Sequence, residues 1–68
     1  MKLLDVVALV EDVPERHLLR GHMGTVVEVF EPGVFEVEFS DNEEQTYALA
    51  TLRTTQLLLL RKEPVRAA

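Results

Sequence analysis

The run Arg20-Gly21-His22-Met23-Gly24-Thr25-Val26-Val27-Glu28-Val29 constrains the fold more than any other part of the chain. Two glycines three residues apart precede a β-branched stretch. Glycine adopts positive φ without a steric penalty, so the pair marks a tight turn. The β-branched side chains that follow suit a pleated strand. A phosphate-cradling loop also uses glycines, but it needs a helix behind it and a lysine with a hydroxyl at fixed offsets. Here a strand follows and the lysine is missing. Gly21 and Gly24 are therefore read as structural turn residues. Pro32 and Gly33 join them in Glu31-Pro32-Gly33, where proline presets φ and glycine supplies the positive value.

The rest of the pattern divides into short strands. Asp5 to Leu9 reads as the first. Glu11 to His22 is polar, contains Pro14, and reads as a long loop with one helical turn around Pro14 to Leu18. Gly24 to Phe30 is the second strand and Val34 to Phe39 the third. In the third, Phe35, Val37 and Phe39 alternate with Glu36 and Glu38, the period of a half-buried strand. Ser40 to Glu44 is a polar turn. Gln45 to Leu52 is the fourth strand, with Tyr47, Leu49 and Thr51 on one face and Ala48, Ala50 and Leu52 on the other. Arg53 to Gln56 fits a single 3₁₀ turn, and Leu57 to Leu60 closes the series.

Five short strands with a long first connection, two tight ones and a 3₁₀ turn before the last strand predict an all-β fold, a small five-stranded SH3-like barrel. An OB-like barrel would place a helix between the third and fourth strands, and Ser40–Glu44 is too short for one. The chain of 68 residues is read as one domain, residues 1–62, with residues 63–68 a flexible tail after Pro64. A domain this small buries only about 60% of its unfolded surface. It has no cysteine with which to brace its core. Asp5, Glu11 and Asp12 break up the apolar N-terminal residues, and no apolar run approaches the ~20 residues of a membrane span. The expectation is a soluble, cytoplasmic protein.

A family resemblance runs through the same residues. Leu4-Asp5-Val6-Val7-x-Leu9, Glu11-Asp12-x-Pro14-Glu15, Arg20-Gly21-x-x-Gly24-Thr25-Val26-Val27, Val37-Glu38-Phe39, Thr51-Leu52 and Gln56-Leu57 together resemble a small bacterial family catalogued as domain of unknown function 4926. Asp41-Asn42-Glu43 stands where such proteins often carry a glycine, which affects only the turn type. The resemblance implies an SH3-like barrel in a bacterial cytoplasm, with no established activity and no catalytic residues.

Charge is the second constraint. The net charge is −5, and its distribution is uneven. Residues 1–60 hold four basic side chains (Lys2, Arg16, Arg20, Arg53) against eleven acidic ones, a balance of −7. Such a body repels phosphate backbones. A KOW-like RNA-binding module would use the glycine loop with Arg16, His17, Arg20 and His22, but Glu28, Glu31, Glu36 and Glu38 surround it. His17 and His22 alone do not supply the three or four convergent ligands of a metal site. No catalytic, cofactor or metal residue is assigned, and enzymatic activity is not expected: paired carboxylates can hydrolyse glycosides, but a barrel this small offers little room for a cleft.

What remains is a surface for another protein. Antiparallel pairing of the second and third strands brings Glu28 near Glu36 or Glu38 on the outer face. Leu57-Leu58-Leu59-Leu60 does not alternate as a half-buried strand should, so two of its leucines need cover from elsewhere. That cover is either internal, from Leu3, Leu4, Leu18 and Leu19, or a partner chain on Leu58 and Leu60. The expected function is a non-enzymatic interaction module. It has the character of an antitoxin-like or immunity-like inhibitor, with Glu28, Glu36 and Glu38 pairing with a basic partner while Leu58 and Leu60 anchor it. The alternatives are homo-oligomerisation through the leucine strand, the KOW-like module, and an accessory subunit of a larger enzyme.

Overall fold

The computed structural model describes residues 1–40 and 46–61. Within them the chain forms five antiparallel strands: β1 (Val6–Leu9), β2 (Met23–Glu31), β3 (Val34–Ser40), β4 (Thr46–Arg53) and β5 (Leu57–Arg61). Two 3₁₀ turns interrupt them, Pro14–Arg16 in the long first connection and Thr54–Gln56 before β5. The strands lie in the order β4-β3-β2-β1-β5. β2, β3 and β4 form a meander, and β5 returns to the far side of β1. The two end strands, β4 and β5, share no ladder, so the sheet is not closed by hydrogen bonding. Most of the predicted turn at Ser40–Glu44, the tail and the side chain of Tyr47 lie outside the described residues.

The inner face follows from the alternation. Phe35, Val37 and Phe39 of β3 are buried, as are Val7 and Leu9 of β1, Val26 of β2, Ala50 and Leu52 of β4 and Leu57 of β5. Val13 and Leu18 from the long loop join the same cluster, and Ala48 and Leu59 pack against it. Val13 and Leu18 reach it because they pair with each other across the first 3₁₀ turn, with N–H···O distances of 2.8 and 3.2 Å. The loop is thus folded in as part of the core, which a purely polar reading of residues 11–22 did not anticipate.

The glycine-rich run resolves into two separate devices. The tight turn is Leu19-Arg20-Gly21-His22, closed by the His22 N–H donating to the Leu19 carbonyl at 3.0 Å. Gly21 occupies its third position at φ +93°, the value a type II turn demands there. The turn is clamped by side chains: the Leu19 N–H donates to His22 Nδ1 and the Arg20 N–H to Asp12 Oδ1. Gly24 is not in this turn. It lies in β2 with its inner side against β3, directly opposite Phe39. A Cβ there would stand 2.7 Å from Val37 Cγ1, 2.8 Å from the Glu38 carbonyl oxygen and 2.9 Å from Phe39 Cδ1. Close approach of two strands, rather than positive φ, requires glycine at this position. Pro32 and Gly33 do form the β2–β3 turn, with Gly33 at φ +84°.

Candidate interaction surface

The residues facing away from the core are set by register. On β1, β2 and β5 one row runs Leu58–Ala8–Met23. The next runs Val6–Thr25–Glu38–Leu49 across β1, β2, β3 and β4. A third runs Glu28–Glu36–Thr51. β2 carries register shifts between Val26 and Glu28 and again between Val29 and Glu31, so it bends as it passes from the second row to the third.

Glu28 and Glu36 are directly opposite one another, and Glu38 projects from the same side of β3 two residues further on. Two carboxylates in that relation repel by some tenths of a kcal/mol up to about 1. Glu36 finds partial compensation: its Oε1 accepts a hydrogen bond from Thr51 Oγ1 at 3.0 Å. Glu38 is flanked by Thr25 and Leu49, neither of which carries charge. Among the described residues no cation pairs with Glu28, Glu36 or Glu38.

β5 resolves its four leucines by alternation. Leu57 is buried and Leu59 packs against the core, while Leu58 and Leu60 are 56% and 46% exposed. Leu3, Leu4 and Leu19, the residues named as internal cover, are themselves exposed; only Leu18 is in the core. Among the described residues Met23 is the most exposed of the large apolar side chains, at 62%. Sequence reasoning did not single out Met23 or Val6. Met23 is out of phase with the inward Gly24 and Val26, so its direction was legible. Its neighbours were not, because they depend on which residue of β1 it faces.

The apolar and acidic parts of this surface meet at a shallow cleft of about 110 Å³ lined by Val6, Met23, Gly24, Thr25, Glu38 and Ser40. No group of three or more histidine, aspartate or glutamate side chains that could hold a metal ion occurs among the described residues, so His17 and His22 are not brought to such a site. No helix among those residues is long and apolar enough to cross a membrane.

One buried acid stands apart. Asp5 is 1% exposed and accepts a hydrogen bond from the Lys2 N–H at 2.9 Å, while its own N–H donates to the Lys2 carbonyl at 3.2 Å. These bonds close a turn over Lys2–Asp5 in which Leu4 takes φ +70°, a left-handed value unusual for a leucine. The turn is held to the sheet by the Leu4 N–H donating to the Val26 carbonyl and the Val26 N–H donating to the Asp5 carbonyl. Asp5 therefore serves the fold.

The described chain is an all-β domain of five antiparallel strands whose described residues assemble no metal-binding group and whose outer side carries the shallow cleft beside Glu38. It belongs to the family described as "Domain of unknown function (DUF4926)", which matches residues 3–59. No curated protein and no solved structure shows a match to the chain.

Proposed function

We propose that the protein is a non-enzymatic, cytoplasmic interaction module that binds a basic protein partner through the outer side of its sheet. We further infer that the sheet curls into an SH3-like barrel. The support for the curl is that residues of both end strands, Ala50 and Leu52 of β4 and Leu57 of β5, share one buried cluster with Val13 and Leu18 of the long loop, and no second sheet or long helix covers it among the described residues. A single sheet hides its inner face in that way by bending around it.

The observation that carries the functional reading is the coincidence of acid without a described cation and exposed aliphatic area. Glu28, Glu36 and Glu38 lack a cation among the described residues, and Leu58 and Leu60 stand out from the end strand. Acidic groups raise the association rate with a basic partner and reject acidic ones, while apolar area provides anchorage. An antitoxin-like or immunity-like inhibitor covering the basic active surface of a nuclease is the form this takes with most content.

The test is co-expression with the product of the adjacent gene. A complex that survives purification at moderate salt, and is lost in a Glu28→Lys, Glu36→Lys, Glu38→Lys variant that still folds, supports the reading. Absence of a complex, or one indifferent to these three reversals, defeats it. Binding to a mixed RNA pool at low salt would favour the nucleic-acid alternative instead.

A further inference from the structure

We propose that the cleft between Met23 and Glu38 receives a lysine or arginine side chain of the partner, an inference that rests on the basic-partner reading and locates its central contact. A cationic side chain of this kind has two parts, an aliphatic stem and a charged tip that gains most when it meets a carboxylate with reduced access to water.

The cleft offers both. Its volume is about 110 Å³, and Val6 and Met23 supply aliphatic walls. Met23 is 62% exposed and unbranched, so it can adjust to a stem laid against it. Across from it stands Glu38, half-buried, with the hydroxyl-bearing residues Thr25 and Ser40 also lining the cleft as further acceptors.

The charge selects the occupant. Neither cross-strand neighbour of Glu38 is charged, no described cation pairs with it, and Glu36 on the same side of β3 deepens the negative potential. An acidic side chain is repelled. A neutral aliphatic one leaves a half-buried carboxylate losing water without a partner. Among the described residues a metal ion finds a single carboxylate in the cleft lining, short of the ligand number it needs.

The experiment is an amide-resolved NMR titration of the full chain with three small probes: Nα-acetyl-lysine methylamide, Nα-acetyl-arginine methylamide and the uncharged isostere Nα-acetyl-norleucine methylamide. The lysine or arginine probe is expected to shift the amides of Val6, Met23, Gly24, Thr25 and Glu38 first, saturating in the millimolar range. Norleucine should bind about fivefold or more weakly, and Glu38→Gln, which keeps size and shape, should weaken the cationic probes by a similar factor. The norleucine comparison needs no variant, so it stands even if Glu38→Gln proves poorly folded. Equal binding of norleucine overturns the proposal, as does indifference to Glu38→Gln. So do shifts spread evenly along Glu28, Glu36 and Glu38, which would be diffuse counterion attraction, or no localised shift at all. A negative result here leaves the basic-partner reading to its own co-expression test. A complex that forms there while the cleft stays silent places the contact elsewhere on the surface.

Discussion

Replacing Gly24 by alanine should destabilise this domain far more than so small a change in a glycine-rich run suggests. The added Cβ would fall short of ordinary contact distance, 3.4 Å or more, by at least 0.5 Å at each of three atoms. Two of these belong to the fully buried side chains of Val37 and Phe39, which are packed in the core cluster. The third is the Glu38 carbonyl oxygen, which cannot retreat unless β3 moves away from β2. Overpacking of a tight core costs about 1–3 kcal/mol, and the backbone contact puts this case at the upper end. Alanine recovers about 0.4–1 kcal/mol by restricting the unfolded chain, leaving a net loss of about 2 kcal/mol. In a domain of this size 1 kcal/mol moves Tm by about 4–8 °C, so Gly24→Ala should melt roughly 8–16 °C lower. Gly24→Val adds two methyls to the same gap and should abolish folding. Thermal unfolding followed by far-ultraviolet circular dichroism measures both. Gly21 is the control: its φ is +93° but nothing lies within 4 Å of its Cβ position, so Gly21→Asn, tolerant of that conformation, should be mild. A Gly24→Ala protein melting within about 3 °C of the parent would refute the close-approach argument, since about 0.5 kcal/mol cannot be reconciled with three such overlaps.

Three further outcomes are expected. Leu58→Glu combined with Leu60→Glu should give a folded protein, because both side chains leave the sheet on its outer side, whereas Leu57→Glu should not fold; circular dichroism and solution mass distinguish these, and an unfolded double variant would place those leucines in the core. Asp5→Ala should cost about 1–3 kcal/mol by stranding the Lys2 N–H and opening the N-terminal turn, and Asp5→Asn, which keeps an acceptor, should cost less; the two urea midpoints will show whether that order holds. Leu4→Gly should be neutral or stabilising by up to about 1 kcal/mol, because relief of the left-handed strain of about 1–2 kcal/mol outweighs the flexibility glycine adds to the unfolded chain. A clear fall in Tm for Leu4→Gly would mean that the leucine side chain makes contacts that matter more than its backbone strain.

Much of this architecture is legible in the amino-acid sequence. The alternation in Val34–Phe39 assigned an inner and an outer face to β3, and Phe35, Val37 and Phe39 are buried as that period requires. Pro32-Gly33 marked its turn, and the 3₁₀ turn before β5 lies at Thr54–Gln56 within the expected Arg53–Gln56. These features are local: each depends on a residue and its immediate neighbours in the chain. Gly24 shows where local reasoning ends. Its residue type announced a backbone requirement, but positive φ and close approach leave the same mark on a sequence, and only the strand opposite distinguishes them.

The surface divides in the same way. Composition and order along the chain established an acidic body, an aliphatic last strand and outward glutamates on β3, because these follow from which residues are present and how a strand alternates. That Glu28 meets Glu36 rather than Glu38, that Met23 and Val6 sit beside Glu38 at a cleft, and that Leu18 goes inward while Leu19 does not were decided by tertiary structure alone. Each of those facts is a matter of register and of loop path. A shift of one residue between strands would have rearranged every such pair, and the energy that selects one register comes from burying the whole inner face at once.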